Sequence, residues 1–254
     1  MSLESEKAFF DAGYEDSARA SIWKFYAITR TSESKYYESI LDTCQGFDVL
    51  EYGCGPGAAA FPLAERGARV TGIDISEVAI RQAGEEAADR GLDARFEVMD
   101  AENLEYPDQS FDLVCGRGII HHLDVAKSLA EVSRVLRPEG RAVFAEPLGH
   151  NPALWIFRRL TPSYRTADEH PLVRKDLVAM KRAFREARIH YFHLVSFFAI
   201  PFLWTPFFSP VYGFLERVDQ VLFKLLPPLG LLSWYCVIDV KKPRVHAATS
   251  GPSA

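Results

Sequence analysis

The chain is poor in cysteine and carries no excess of positive charge. Its four cysteines show no C-x-x-C spacing, which argues against a zinc site or a dithiol redox motif and favours reduced thiols. Basic residues number 29 against 34 acidic ones, a net charge of −5. Nucleic-acid binders typically carry a basic face, so no nucleic-acid partner is expected. The polar, acidic start at Met1–Lys7 does not resemble a signal peptide, and we expect a cytoplasmic protein.

Charged residues are absent from Tyr191 to Leu215. This run has the length of a membrane span, but three prolines interrupt it, at positions 201, 206 and 210, and such close prolines break a helix. We therefore predict a helical apolar insertion at about 198–232 rather than a transmembrane helix. Simple packing on the core, a wall for a lipophilic substrate, a homodimer interface and peripheral membrane contact through residues 191–232 all remain open.

A glycine-rich turn follows the first apolar strand, Asp48–Tyr52. The turn contains Gly53, Cys54, Gly55 and Gly57, with Cys54 read as a small residue. A strand, a glycine-rich turn and a helix in succession bring bare backbone N–H groups close to a ligand. Asp74 ends the second apolar strand, where an acid suits the hydroxyls of a ribose. This pattern predicts a nucleoside-binding crevice at the carboxyl edge of a parallel sheet.

The residue type at position 51 helps to choose the nucleoside. Gly53, Gly55 and Ala58 satisfy the dinucleotide fingerprint G-x-G-x-x-G/A. Glu51, however, would repel a pyrophosphate and attract a cationic ligand. The pattern E-x-G-C-G-P-G resembles motif I of the class I methyltransferases, which use S-adenosylmethionine. The ammonium and sulfonium groups of that cofactor agree with an acid at this position.

The resemblance extends over residues 49–147 and is strongest to the type 11 branch, which is dominated by small-molecule methyltransferases. In that family an aspartate after the third strand accepts a hydrogen bond from the adenine amino group, and the next residue contacts the ring through its backbone. Asp100 and Ala101 match these positions. Arg117 departs from the family pattern, and it is expected to pair either with an anionic substrate or with a local carboxylate. The cofactor-binding residues implied are Glu51, Gly53, Cys54, Gly55, Gly57, Asp74, Ile75, Asp100, Ala101, Glu102 and Arg117.

Strand and helix signals alternate along the chain, which predicts a parallel sheet with crossover helices. The predicted strands are 48–52, 69–75, 95–99, 111–116, 141–145, 188–197 and 234–240. Helices are predicted at 57–65, from a Ser76 cap to residue 90, from an Asp124 cap to residue 136, and at 174–187, with a turn at 138–140. The resemblance adds an antiparallel last strand. The expected fold is therefore a three-layer, Rossmann-like α/β fold with a seven-stranded, mostly parallel sheet and N-terminal helices.

The predicted organisation has three parts. Residues 1–45 form an N-terminal helical cap, with aromatic residues that include Phe10, Tyr14, Trp23 and Tyr26. The resemblance implies that this cap folds over cofactor and substrate, although plain packing against the sheet is equally open. Residues 46–243 form the core, with insertions at about 148–172 and 198–232. Residues 244–254 are small and polar and are expected to be a disordered tail.

Methyl transfer to an oxygen needs alignment, a dry pocket and removal of a proton. Histidine is the natural base near neutral pH. We take His121, His150 and Glu146 as catalytic candidates, because Glu146 and His150 follow the fifth strand, at the edge where ligands bind in such sheets. His122 and His170 are further candidates, and a structural role is open for each histidine. Adjacent histidines have poor spacing for a metal, so no metal site is predicted.

These observations predict a methyltransferase that uses S-adenosylmethionine to methylate a small, lipophilic molecule at oxygen or carbon by in-line displacement. Two alternatives remain. One is a non-catalytic, cofactor-binding or membrane-associated scaffold, in which the apolar insertion is the working surface. The other is an NAD-dependent oxidoreductase, which Glu51 disfavours.

The stretch 158–171 is expected to form a lid or pocket wall, where Arg158, Arg159 or Arg165 either recognises an acidic group or is merely solvated.

Overall fold

A computed structural model describes residues 3–15, 28–160 and 169–244. The helices are α1 (Leu3–Glu15), α2 (Arg30–Leu41), α3 (Ala60–Glu65), α4 (Glu77–Asp89), α5 (Val125–Val135), α6 (Pro152–Leu160), α7 (Arg174–Ala183) and α8 (Phe208–Leu225). The strands are β1 (Asp48–Tyr52), β2 (Arg69–Asp74), β3 (Ala94–Val98), β4 (Phe111–Arg117), β5 (Leu136–Pro147), β6 (Phe184–Phe192) and β7 (Tyr235–Pro243). Predicted features at residues 16–27, 161–168 and 245–254, which include Trp23, Tyr26, Arg165 and most of the tail, lie outside the described residues.

The seven strands form one sheet in the order β3-β2-β1-β4-β5-β7-β6. Strands β1 to β5 pair in parallel, and β7 is antiparallel to both β5 and β6. Successive side chains of a strand point to opposite faces, so Val49 and Leu50 enter different apolar clusters. Helix α2 packs on one face and α5 and α7 on the other. The predicted three-layer fold with an antiparallel last strand is confirmed.

Several predicted boundaries agree with the structure because they depend on local hydrogen bonds. The Ser76 hydroxyl accepts a hydrogen bond from the Ala79 backbone at 3.1 Å and starts α4. The Asp124 carboxylate accepts from the backbones of Ala126 and Lys127 and starts α5. Both are N-caps, in which a side-chain oxygen satisfies a free N–H of the first turn.

Several predicted boundaries were wrong, among them the end of the sixth strand, which is Phe192 rather than residue 197. Helix α3 begins at Ala60 rather than at residue 57, since the glycine turn before it has positive φ angles. The predicted turn at 138–140 lies inside β5, where the register with β4 shifts. Strand β6 begins at Phe184 rather than at residue 188, because α7 ends at Ala183.

The predicted apolar insertion is helical. It contains a 3₁₀ helix at Ser196–Phe202, then α8, then a second 3₁₀ helix at Pro227–Leu232. Pro210 lies in the first turn of α8, where the missing N–H costs no helical hydrogen bond. Among the described residues, none of the helices combines the length and the apolar character needed to cross a bilayer.

Buried polar groups fix the insertion to the rest of the protein. The Asp219 carboxylate of α8 accepts hydrogen bonds from the backbones of Leu194, Val195 and Ser196, at 2.7 to 3.2 Å. The fully buried ring of His193 contacts Glu216 Oε1 through Nδ1 at 3.1 Å. Its Nε2 contacts the Ser32 hydroxyl of α2 at 3.0 Å. The insertion is therefore held in a defined position rather than tethered loosely.

The carboxylate of Glu51 holds the start of α3 against β1. Its Oε1 accepts a hydrogen bond from the Ala59 backbone at 2.9 Å, and its Oε2 accepts from the Ala60 backbone at 2.7 Å. Burial raises the pKa of Glu51 to about 7, although these two N–H donors and the charge of Arg117 oppose the shift. Ionised Glu51 is therefore less favourable in the folded protein than in the unfolded chain.

The raised pKa of Glu51 predicts a pH-dependent stability. Between about pH 4.5 and 7 the folded state binds more protons than the unfolded chain, so the free energy of unfolding falls as pH rises through this window. The contribution of Glu51 to the free energy of unfolding is fully present below about pH 4.5, where it amounts to about 3 kcal/mol relative to pH values above 7. Urea unfolding of the wild type and of Glu51→Gln from pH 4 to 8 measures it, because Gln does not titrate. Parallel stability curves for the two proteins would contradict this assignment.

Candidate active site

A crevice of about 440 Å³ opens at the carboxyl ends of β1, β2 and β4 and beside the loop after β3. It is lined by Phe10, Tyr14, Gly53, Ile73, Asp74, Ile75, Met99, Asp100, Ala101, Glu102, Arg117, Gly118, Ile119, His122 and Leu123. Seven of the predicted cofactor-binding residues are in this set: Gly53, Asp74, Ile75, Asp100, Ala101, Glu102 and Arg117. The site thus lies where ligands bind in open α/β sheets.

The glycine turn forms one wall of the crevice. Gly53 has a φ of +66°, and a Cβ there would lie 2.8 Å from the Ile119 side chain. Gly55 has a φ of +52°, and a Cβ there would lie 2.9 Å from the Tyr14 hydroxyl. Both positions therefore need glycine for backbone conformation and for space. The bare backbone leaves room for a ligand to approach closely.

Two acids at adjacent strand ends are fixed by the backbone. Asp74 Oδ2 accepts from the Gly55 backbone and Oδ1 from the Ser76 backbone, both at 2.9 Å. Burial raises the pKa of Asp74, and backbone donors oppose the shift. Asp100 Oδ1 accepts from the Glu102 backbone at 2.8 Å. A carboxylate has about four acceptor positions, so both acids keep capacity for ligand hydroxyl or amino groups.

Helix α1 covers the crevice and is joined to the start of α4. Phe10 and Tyr14 line the cavity. The Ser76 hydroxyl donates to Asp11 Oδ1 at 2.5 Å, and Lys7 forms an ion pair with Glu77. The contact of α1 with the cavity agrees with the expectation that an N-terminal helix folds over the ligand.

Four predicted cofactor-binding residues do not line the crevice. Glu51 is directed to the start of α3, as described above, and does not face the cavity. The Cys54 side chain is buried, and a Cβ on Gly57 would collide with the Phe61 ring at 2.4 Å. Gly55 contributes to the turn and contacts Asp74 without belonging to the lining. The expected attraction between Glu51 and a cationic ligand thus has no direct contact to support it here.

Arg117 pairs with a local carboxylate. It forms an ion pair with Glu33 of α2, and it lies at the end of β4 in the wall of the crevice. Of the two predicted partners for Arg117, the structure provides the protein carboxylate. Glu33 had no sequence signal, because nothing local relates α2 to the end of β4.

His121 and Glu146 form a buried pair beside the crevice. The Glu146 side chain is fully buried at the end of β5, and its Oε1 accepts hydrogen bonds from the backbones of Ile119 and Ile120, both at 3.0 Å. Glu146 Oε2 lies 2.7 Å from His121 Nδ1. If Nδ1 donates to this carboxylate, the lone pair of the ring is on Nε2, which would then be the atom able to act as a base. The structure therefore brings together two of the three catalytic candidates.

The third candidate, His150, does not lie at this site. His150 is exposed, and its Nε2 accepts a hydrogen bond from the Arg174 backbone at the start of α7. His150 is not among the residues that line the crevice, and its catalytic role stays a prediction. His170 meets His121 through its backbone, which donates to the His121 carbonyl at 2.9 Å.

A second carboxylate, Glu169, approaches His121 from the other side. Its Oε1 lies 3.8 Å from His121 Nε2 and 2.6 Å from Arg158 Nη1. Ligand atoms of His121, His122 and Glu169 lie within 4.8 Å of one another, although the sequence predicted no such grouping for adjacent histidines. Burial, with smaller contributions from nearby cationic groups, lowers the pKa of His122 to about 3, so that this ring is neutral. The Arg158 cation already neutralises Glu169, which opposes a metal at this point.

The residues that sequence reasoning missed belong to this long-range set. Glu169 was taken only as part of a charged stretch, and Arg158 as a substrate-binding or solvated group. No local sequence pattern predicts that His121 lies near Glu169, which is some fifty residues further along the chain.

The middle of the chain matches a family model. Residues 50–144 match the model described as a methyltransferase domain, of type 11. Among curated proteins, aklanonic acid methyltransferase DauC of Streptomyces sp. (strain C5) is 37% identical over 55% of this chain and 62% of its own length. Nocamycin O-methyltransferase of Saccharothrix syringae is 38% identical over 43% of this chain and 41% of its own length. The chain thus spans less than two thirds of the length of these relatives.

A solved structure agrees at the level of the fold. Phosphoethanolamine N-methyltransferase 2 of Haemonchus contortus, in complex with S-adenosyl-L-methionine, has a TM-score of 0.63 and 19% identity, over 96% of this chain and 60% of that one. These comparisons give no support to the scaffold or oxidoreductase alternatives. Residues 50–144 are therefore similar to a type 11 methyltransferase domain, and the chain has the class I methyltransferase fold.

Proposed function

We propose that this protein transfers a methyl group from S-adenosylmethionine to an oxygen atom of a small, lipophilic molecule, with His121 as general base and Glu146 as its positioning residue. The observation that carries this proposal is the 2.7 Å contact between Glu146 Oε2 and His121 Nδ1. His121 does not itself line the crevice, but its neighbours Ile119, His122 and Leu123 do. S-adenosylmethionine supplies an activated methyl group on a sulfonium. What remains for the protein is alignment, exclusion of water and acceptance of a proton.

The residues of the crevice suit this cofactor. Asp74 and Asp100 offer acceptors at neighbouring strand ends, as a ribose and an adenine amino group require. The glycine turn lets a ligand approach the backbone at Gly53. Tyr14 and Phe10 of α1 add two aromatic rings to the wall of the cavity, which would help to exclude water.

Proton removal is assigned to His121 Nε2. With Nδ1 donating to Glu146, Nε2 is the ring atom that could accept a proton, and an incoming hydroxyl would have to reach it beside Glu169 Oε1, 3.8 Å away. Oxygen as acceptor is supported by the presence of this base and by the name of the relative nocamycin O-methyltransferase. A lipophilic substrate is supported by the apolar side chains of Phe10, Ile119 and Leu123 in the same cavity.

We extend the proposal to the organisation of the chain. The cap at 1–45, the core at 46–243 and the insertions at about 148–172 and 198–232 are supported by the positions of α1, α6 and α8. Helix α1 belongs to the cap by its contact with the crevice, and Glu169 brings the first insertion to His121.

The choice of cofactor is tested by isothermal titration calorimetry of the purified protein with S-adenosylmethionine and, separately, with NAD. We expect micromolar binding of S-adenosylmethionine and no measurable binding of NAD. Asp74→Ala removes a carboxylate that lines the cavity and should weaken cofactor binding about tenfold or more. Asp112→Ala is the matched control, because Asp112 lies near the amino end of β4, whereas the crevice lies at the carboxyl ends of the strands. Binding of NAD alone would overturn the proposal and restore the dinucleotide alternative.

The roles of His121 and Glu146 are tested by steady-state kinetics with a panel of hydroxylated apolar molecules. His121→Ala should lower kcat about 10²- to 10⁴-fold, the usual contribution of a general base, while calorimetry shows unchanged affinity for S-adenosylmethionine. Glu146→Gln should also lower kcat, because the backbone N–H groups of Ile119 and Ile120 retain the amide oxygen and leave the NH2 donor facing His121 Nδ1, which favours the other tautomer. His150→Ala serves as the histidine control and should keep near wild-type kcat. Activity that survives in His121→Ala but is lost in His150→Ala would reverse the assignment.

A further inference from the structure

The apolar insertion presents a row of large side chains to solvent. Phe207, Phe214, Val221 and Leu225 are spaced by seven, seven and four residues, which places them on one side of α8. Each is between 54% and 70% exposed. Phe198, Trp204 and Leu226, in the segments that flank α8, are exposed to a similar degree. These seven residues are called the outer face below, and a patch of this kind marks an interaction site.

Charge is segregated across α8. The acidic residues of segment 196–232 are Glu216 and Asp219, and both are directed inward, to His193 and to the backbone of residues 194–196. The cationic residues of the segment are Arg217 and Lys224, and both are exposed. The spacing places these two cations along one flank of the apolar row. The side of α8 that faces solvent is therefore apolar and positively charged.

The outer face does not belong to the crevice. Every residue that lines the crevice lies between positions 10 and 123, so none comes from residues 191–232. The hydrogen bonds of Asp219 and His193 hold the opposite side of α8 against the protein. Thus the row of Phe207, Phe214, Val221 and Leu225 is kept in place and points outward.

We propose that the outer face docks the protein on the surface of an anionic lipid bilayer, with α8 lying in the plane of the interface. Helices that lie at a bilayer surface combine an apolar face rich in Phe, Trp and Leu with flanking Lys or Arg. The outer face has this composition, and Arg217 and Lys224 lie where anionic headgroups would meet them. The apolar row would enter the boundary between headgroups and acyl chains.

Charge favours a lipid surface over a second copy of the chain. Symmetric dimers bury the same patch from both subunits. Such a contact would bring two sets of Arg217 and Lys224 toward one interface without a carboxylate on α8 to offset them, because Glu216 and Asp219 are engaged elsewhere. Anionic phosphate headgroups remove this repulsion and add about 1 kcal/mol, roughly fivefold in affinity, for each cation near the surface.

The test is flotation of the purified full chain with vesicles. One vesicle contains equal parts of phosphatidylglycerol and phosphatidylcholine, and the other contains phosphatidylcholine alone. We expect the protein to float with the anionic vesicle, with an affinity about tenfold or more above that for the neutral one. The double variant Phe214→Ser/Val221→Ser should lose binding to both, and Arg217→Glu/Lys224→Glu should lose the preference for the anionic vesicle.

A matched control comes from the far edge of the sheet. Val98 on β3 is 48% exposed, close to the 54% of Val221, and Val98→Ser should float like the wild type. Thermal unfolding shows whether each variant is folded. If Phe214→Ser/Val221→Ser does not fold, Arg217→Glu/Lys224→Glu still tests the preference for the anionic vesicle. Light scattering in the same buffer reports the oligomeric state.

Two results would overturn the proposal. One is absence of flotation with either vesicle. The other is a dimer in solution that Phe214→Ser/Val221→Ser converts to monomers, which would assign the outer face to contact between copies. Binding of S-adenosylmethionine is measured separately by calorimetry. Lipid docking does not depend on methyl transfer, so failure of one proposal is distinguishable from failure of the other.

Discussion

The fully buried carboxylate of Glu146 constrains the active edge of the sheet more than any other group. A buried charge needs hydrogen-bond partners, and Glu146 finds them in the backbones of Ile119 and Ile120 and in the ring of His121. These contacts join the end of β5 to the segment after β4. The position of the proposed base is therefore a consequence of satisfying a buried acid.

The same requirement recurs wherever a carboxylate lies inside this protein. Glu51 binds the first N–H groups of α3, Asp74 binds the glycine turn, and Asp219 binds the backbone after β6. In each case an acid on a regular element fixes an irregular segment that has no other means of satisfying its backbone. In the insertion, apolar packing adds to these hydrogen bonds, because Ala199 and Phe208 form a buried cluster with Ile28.

Sequence reasoning succeeded where the deciding interactions are local. Ser76 and Asp124 cap helices within three residues of themselves, and the glycines of the predicted turn lie in a turn with positive φ values. It failed where two distant segments decide the outcome. His150 comes shortly after Glu146 in the chain, yet its ring binds the backbone at the start of α7. No sequence pattern predicts that contact.

Glu51 illustrates a further limit of sequence reasoning. Its place two residues before the first glycine suggested attraction to a cationic ligand, whereas its carboxylate is occupied by the backbone of Ala59 and Ala60. From the sequence alone, an acid at that position is equally compatible with attracting a cationic ligand and with accepting hydrogen bonds from backbone N–H groups. Only the direction of the side chain distinguishes them, and this depends on how α3 packs against β1.

Helix α2 joins the two regions of the protein to which function is assigned. Its Ser32 contacts His193 at the base of the insertion, and the next residue, Glu33, pairs with Arg117 in the wall of the crevice. Because buried hydrogen bonds connect α8 to the rest of the protein, this surface helix has a fixed orientation relative to the sheet. A flexible tether would not provide one. Docking of the outer face on a bilayer would therefore hold the crevice at a defined height and angle to the lipid, a geometry suited to a substrate that partitions into the membrane.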